Sequence, residues 1–333
     1  MRFKAALTAL AFLTVSQPPM AAPATNPIKI VEWPVPWTDG RSRDPFAQDA
    51  ETVWFVDQVN GYLVKLDTVT REFTKTVLKA GSRPHNLIVD RDGMVWYAGN
   101  RTALIGRFDP QAGTTEEFPM PGGTPRDPHT LVFDGKGHIW FTAQIANKIG
   151  RLTMESGKVD VISVPTDRAR PYGIKMAPDG RVWVVLFGTS KLAKVDPKTF
   201  ALTEIDLPRD EARPRRLEVT GDGRVWYGDY AEGKLGVYDP ATDRFKEWDL
   251  PGGENAQPYG TASDSKGRIW LVETGLDPNR FVGFDPKTED FFSITPIPSG
   301  GGVVRHMHYL ESDGTVWFGT DFHTIGRARV EPR

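Results

Sequence analysis

Short apolar runs alternate with polar turns along this chain in a frame that recurs from one end to the other. Each unit reads as four β-strands. An apolar strand such as "HNLIV" ends in a turn carrying Asp-Gly or Lys-Gly ("DRDG", "DGKG", "APDG", "TGDG", "ESDG"). Glycine there suits the positive φ of a tight hairpin. A Trp-bearing strand follows ("MVWYAG"), then a third strand ending "IGRFDP", "IGRLTM" or "LAKVDP", where proline pre-sets a turn. The fourth strand alternates and ends in proline, as in "TTEEFPMP", "ALTEIDLP" and "RFKEWDLP".

Seven of the ten tryptophans occupy one position of this frame: Trp54, Trp96, Trp140, Trp183, Trp226, Trp270 and Trp317, spaced 42, 44, 43, 43, 44 and 47 residues apart. A period in the forties built of short strands indicates a propeller or solenoid array. The ends of the chain choose between them. "IKIVEWPVP" (28–36) is a fourth strand with no unit before it, and "HTIGRARV" (323–330) is a third strand with no fourth after it. Pairing the two closes a ring and removes the open sheet edges. The pattern therefore predicts an all-β, seven-bladed β-propeller with four-stranded blades, its last blade closed by the N-terminal strand. The tryptophans are expected to pack between blades.

In a propeller the first strand of each blade is innermost, so a repeated position on it becomes a ring about the axis. The position eleven residues before each Trp carries His85, His129, Tyr172, Arg215, Tyr259 and His306, and the shorter first blade offers Arg43 or Phe46. Bulky polar side chains fill a dry core poorly, because each buried polar tip needs a partner. They suit the mouth of a ligand funnel, and Arg215 suits an anionic or carbonyl group. A ring of side chains that only satisfy one another around a wet tunnel is the alternative. The position four after each Trp gives a second ring, Gln58, Asn100, Gln144, Phe187, Tyr230, Thr274 and Asp321, with Asp57, Asp229 and Glu273 one residue earlier. Carboxylates near histidines are ligands for a hard divalent ion, or else caps at strand ends.

The first residues do not fit the repeat. Arg2 and Lys4, an apolar run from Ala5 to Val15 and the small residues ending at Ala24 have the layout of a secretory signal. The run is too short to span a bilayer, which needs roughly 20 residues. Residues 1–24 are expected to be a signal peptide and 25–333 the propeller, in a periplasmic or secreted monomer with no membrane span. The formal charge is −2, or −4 without Arg2 and Lys4, and there are no cysteines. Thiol chemistry and cysteine-based zinc sites are excluded, the core alone must hold the fold, and no basic stripe marks a nucleic-acid binder.

The repeated "RPH", "NKIGRL" and "ALTEIDLP" phrases resemble the virginiamycin B (streptogramin B) lyase family over all seven units. The resemblance implies elimination: a histidine removes a Cα proton next to the ester of a cyclic depsipeptide, and the ring opens to a linear dehydro product. It also implies Mg2+, held by two acidic residues, polarising the neighbouring carbonyl. The family motif has a His after a proline in one blade, Glu-Pro-His in the next, and a Glu four residues after that blade's Trp. Matched by motif, this gives His85, then Asp127 and His129, with Gln144 at the last metal position. Matched by chain order it gives Tyr259, Val304, His306 as base and Asp321 as metal ligand. The resemblance thus implies His129 and His306 as catalytic residues. His85, Tyr172, Arg215 and Tyr259 would bind substrate, and Asp127, Gln144 and Asp321 the metal. The expected ligand is a small molecule or cyclic peptide at the central axis. Two other classes stay open: a non-catalytic ligand- or protein-binding propeller, and a metal-dependent lactone hydrolase.

Overall fold

The structure, a computed structural model, describes residues 26–331; the leader read at 1–24 lies outside them. Seven antiparallel sheets, each of four strands, follow one another along the chain. In six of them the strands pair in chain order. In the seventh the outermost strand is Lys29–Pro34, which lies beside Thr324–Arg329 with Lys29 opposite Arg329 and Pro34 opposite Thr324. The closure expected from the two ends of the chain is therefore the closure observed. Glu32 fastens it, accepting hydrogen bonds from the Ser299 backbone N–H and from the Ser299 and Thr324 hydroxyls.

The repeated tryptophans fill the seams between blades. Trp140 of blade 3 packs with Val182 and Val184 of blade 4, and Trp317 of blade 7 packs with Val53 and Phe55 of blade 1. Each buried indole needs an acceptor for its N–H. The turn before the Trp strand supplies it in several blades, as where Trp96 donates to Asp90 and Trp270 to Asp264, both at 2.8 Å. The "IGR" phrase also has a steric cause. Gly150 lies opposite Phe141 on the neighbouring strand, and a Cβ on Gly150 would run into the ring. No helix among the described residues is long and apolar enough to cross a membrane.

The first strands of the blades converge on the axis: Ser42–Ala47, Leu87–Val89, Pro128–Phe133, Pro171–Met176, Pro214–Val219, Pro258–Ser263 and Met307–Leu310. Five of these seven break register near their start, as between Pro128 and Leu131 or Arg43 and Phe46. A bulge adds a residue and re-aims side chains. Two consecutive residues thus turn toward the axis where strict alternation would send one of them into the seam.

Candidate functional site

Pairing with the repeated tryptophan fixes which residues share a level. Val132 lies opposite Trp140, Lys175 opposite Trp183, and Glu218 opposite Trp226. In blade 7 the residue opposite Trp317 is His308. The turn there, a short 3-10 segment at Glu311–Asp313, holds one residue more than its counterparts. Counting back from Trp317 therefore lands one residue off. Level with His129 stands Arg305, and His306 lies one step deeper. The upper ring is Arg43, His85, His129, Tyr172, Arg215, Tyr259 and Arg305, and blade 1 contributes Arg43 to it, with Phe46 three residues further on.

Side chains of this ring meet across blades. The His85 and His129 ring centroids are 3.5 Å apart, and His129 lies 4.3 Å from Tyr172. The hydroxyls of Tyr172 and Tyr259 are hydrogen-bonded to each other. The Arg215 guanidinium lies 3.7 Å from the Tyr259 ring centroid, 4.2 Å from Tyr230 and 4.6 Å from Phe187, which are cation–π distances. Burial, reinforced by Arg43 and Arg216, holds both His85 and His129 well below the usual imidazole value. Both rings are neutral near pH 7. Burial alone would raise the Tyr172 phenol, but Arg43, Arg216, Arg215 and the Tyr259 hydroxyl bring it below its ordinary value, whereas burial raises Tyr259.

A second polar level lies directly beneath, where the bulges turn Asp44, Thr130 and Arg216 inward and Asn86 joins them from blade 2. Arg216 spans it, donating from Nη1 to Thr130 Oγ1 at 3.1 Å and from Nε to the Arg305 carbonyl at 3.0 Å, with Nη2 3.5 Å from Asp44. Asp44 accepts from Asn86 Nδ2 at 3.0 Å, and Asn86 Oδ1 in turn accepts the Leu131 N–H. Burial would raise the Asp44 carboxyl, but Arg43, His306, Arg216 and Asn86 together hold it below the ordinary value. Asp44 sits at φ +45, a conformation costly for a residue with a Cβ and held here by these four partners. Thr130 Oγ1 is also 2.8 Å from His129 Nδ1, tying the two levels together.

Below this plug a cavity of about 360 Å³ opens at the opposite mouth, lined by Phe46, Ile88, Val132, Lys175, Glu218 and His308 among others. Lys175 pairs with Glu218 at 2.8 Å, and His308 stacks on Phe46 at 4.0 Å. His306 also lines this cavity. The structure thus brings His85, His129, Tyr172, Arg215 and Tyr259 together at the upper mouth and sets His306 on the floor between the two mouths.

The acidic residues are committed elsewhere. Asp127 accepts the backbone N–H groups of Ile145 and Ala146 at 2.5 and 3.2 Å and fastens the turn after Gln144; burial raises its carboxyl. Asp321 is gripped by both terminal nitrogens of Arg305, Nη2 lying 2.7 Å from Oδ2, and Arg41 stands 3.7 Å away. Val304 is fully buried and offers no ligand. Asp57, Asp229 and Glu273 hold the loops between blades: Asp57 takes the Trp37 indole and the Arg41 N–H, Asp229 takes Arg209 and the Arg213 N–H, and Glu273 takes Arg280 and the Gly252 N–H. Among the described residues no group of three or more His, Asp or Glu is placed to hold a metal ion. The donors that the resemblance assigns to Mg2+ do not fit it: Asp127 is capped, Gln144 is neutral and Asp321 carries an arginine.

Arg43, Asp44, Asn86, Arg216 and Arg305 complete the site. Their sequence signal is adjacency: four of them sit beside the ring position counted from the Trp, on the side that strict alternation assigns to the seam. Arg43, one of the two blade 1 candidates, stands eleven residues before Trp54, because blade 1 is no shorter here than its neighbours.

Comparison with solved structures places the fold among propellers of one kind. The virginiamycin B lyase of Staphylococcus aureus superposes with a TM-score of 0.82 at 20% identity, over 91% of this chain and 100% of that one. A streptogramin B lyase superposes at 0.80 with 22% identity, over 90% of this chain and 97% of that one. YCF48 bound to D1 peptide gives 0.72 at 16% identity, over 95% and 100%. At such identities the likeness is one of architecture. No match was found among the curated proteins. The Virginiamycin B lyase family matches residues 12–277, stopping short of Val304, Arg305, His306 and Asp321. On that match, which covers most of the sequence and runs into blade 6, the chain belongs to the virginiamycin B lyase family.

Proposed function

We propose that the upper mouth is the active site of a carbon–oxygen lyase that opens a cyclic ester, or a related substrate with an acidic C–H beside a carbonyl, by elimination. The observation that carries this reading is the close pair of neutral histidines, His85 and His129, set among arginines contributed by three different blades.

His129 is the base. The reaction uses the tautomer in which His129 Nδ1–H donates to Thr130 Oγ1, an oxygen that also accepts from Arg216 Nη1, so that Nε2 keeps a free lone pair. A neutral imidazole removes a proton near pH 7, and two neighbouring rings in a cationic setting keep each other unprotonated. Nε2 takes the Cα proton, the C–H electron pair becomes the new C=C bond, and the C–O bond on the adjacent carbon breaks, the oxygen leaving as carboxylate. Charge that gathers on the carbonyl oxygen meets fixed guanidinium groups, which need no reorganisation as it develops. No step runs through a metal ion. Residues 1–24, with their leader-like layout, support export to the periplasm or beyond.

Incubation with a panel of cyclic depsipeptides, lactones and uronate-containing oligosaccharides, read by mass spectrometry, tests the reaction. Ring opening by elimination leaves the mass unchanged and creates an unsaturated product, whereas a lactone hydrolase adds one water. A binding propeller is the second reading, favoured by the Tyr172–Tyr259 and His85–His129 contacts that close the ring on itself. Tight binding with no product from any member of the panel would establish it instead.

A further inference from the structure

The upper mouth holds more positive charge than its own residues neutralise. Arg43, Arg215 and Arg305 stand in its ring and Arg216 lies directly beneath them, and the carboxylates beside these four are Asp44 and Asp321. Asp321 is taken up by Arg305 and Arg41. Asp44 lies 3.6 Å from Arg43 Nε and 3.5 Å from Arg216 Nη2, close enough for an ion pair and too far for a hydrogen bond.

The donors themselves show the deficit. Arg43 is 5% exposed and Arg216 4% exposed. Arg43 Nε and Nη2, Arg215 Nε and Arg216 Nη2 are all buried with no hydrogen-bond acceptor. A guanidinium cannot shed its charge in a protein, so burial cannot be relieved by deprotonation as it is for the neighbouring histidines. Buried donors are nearly always paired in native proteins, and leaving several charged ones unpaired in a single site is costly. The remaining ring residues bring no negative charge: His85 and His129 are neutral, and the Tyr172 hydroxyl is shared between Tyr259 and Arg215.

We infer that the upper mouth is a receptor for a carboxylate on a small-molecule ligand, which supplies the acceptors that Arg43, Arg215 and Arg216 lack. Carboxylate oxygens match the planar fork of a guanidinium. Phe187 and Tyr230, partly exposed aromatic walls that flank the Arg215 guanidinium, give a sugar-sized ring a surface to lie on. The family's implied metal would polarise a carbonyl through two acidic ligands; here arginines meet the ligand directly, so an acid or uronate-like molecule is accepted and a neutral analogue of the same shape is not. This inference takes the upper mouth as the ligand site proposed above and does not depend on elimination taking place there.

The experiment is titration calorimetry with thermal melting in low-salt buffer, using D-glucuronate, its neutral analogue D-glucose, and inorganic sulfate as probes. D-glucuronate is expected to bind and raise the melting temperature, with D-glucose inert. Arg215→Gln, at the exposed edge of the cluster, is expected to weaken D-glucuronate binding roughly ten- to hundredfold, the cost of one hydrogen bond to a charged group. Arg91→Gln, on an exposed turn, changes net charge equally and is expected to leave binding intact. Equal responses to D-glucuronate and D-glucose, silence toward D-glucuronate, sulfate binding in its place, or equal losses in the two variants would each overturn the inference. D-glucuronate binding without an eliminated product from any substrate overturns the lyase reading alone. Turnover of a neutral depsipeptide that D-glucuronate fails to inhibit overturns this inference alone.

Discussion

Arg305 holds Asp321 by both terminal nitrogens across the rim of blade 7. By chain order Asp321 is the residue that a family member would spend on its metal, and the cation beside it here is a guanidinium. Magnesium at millimolar concentration is therefore expected to leave the melting temperature unchanged, and EDTA to leave any turnover unchanged. Arg305→Ala removes the partner of a partly buried carboxylate and is expected to cost about 1–3 kcal/mol, read by urea unfolding. Stabilisation of the wild-type protein by magnesium would contradict this assignment.

His129 and His306 separate by level. His129 belongs to the upper ring, and His306 to the plug beside Asp44, where burial and Arg216 lower its imidazole while Asp44 raises it. His129→Ala is expected to reduce turnover roughly 10²- to 10⁴-fold, the usual worth of a positioned base, with an unaltered near-UV spectrum. His306→Ala is expected to retain more activity and lose more stability, since it opens the floor between the two mouths. Steady-state rates and melting curves on the two variants check the ordering, and the reverse ordering would move the base to the plug.

Stability should fall with acid well before the carboxylates titrate. Burial, with Lys175 adding to it, pushes the His308 imidazole down to about 4 from its ordinary 6.5. Between those values the unfolded chain holds a proton that the native state refuses, so unfolding takes up protons and native stability drops as pH falls from 6.5 toward about 4. That interval corresponds to about 3 kcal/mol for His308. His85, His129 and His306 are shifted the same way and steepen the loss. His308→Phe, which keeps the stack on Phe46, is expected to flatten the pH dependence measured by urea unfolding across this range.

The blades were legible in the sequence because each repeats the same local solution: a Gly-bearing hairpin, a Trp for the seam, a glycine opposite an aromatic ring. Closure was legible from two incomplete ends. The interior of the site was less so, for two physical reasons. A bulge breaks the two-residue alternation at the ring in blades 1 and 5, so Asp44 and Arg216 read as seam residues although they turn to the axis. The turn at Glu311–Asp313 carries one residue more than the others, so distance from Trp317 misplaces His306 and hides Arg305. Asp57, Asp229 and Glu273 lie on no axial ring because loop N–H groups and arginines claim their oxygens.

Gly150 offers a test of the packing rule behind the "IGR" phrase. Phe141 covers it so closely that a single methyl group has no room, and the fully buried ring has nowhere to retreat. Gly150→Ala is expected to destabilise by about 1–3 kcal/mol, the range for overpacking a core. Gly150→Ala combined with Phe141→Leu is expected to recover part of that loss, because the smaller side chain yields the space. Chemical denaturation of both variants measures the coupling, and additive losses would show that the ring does not set the requirement.

The closing strand carries the most stringent test. Lys29–Pro34 completes the last blade by hydrogen-bonding to Thr324–Arg329, and Trp33 stacks on Trp317 at 5.4 Å between ring centroids. Replacing Trp33 by Ala deletes that contact and empties part of the seam between blades 7 and 1, at a cost of about 3–5 kcal/mol. Deleting residues 26–36 goes further, leaving Thr324–Arg329 as an exposed edge with unpaired N–H and C=O groups. The truncated chain is expected to melt well below the intact one and to associate in light scattering. Adding the excised segment in trans as a synthetic peptide is expected to suppress the association, because the same edge accepts the same strand. An intact melting temperature and a monodisperse truncated chain would mean that the ring does not depend on this strand, and the shared axial site would then need another explanation for its rigidity.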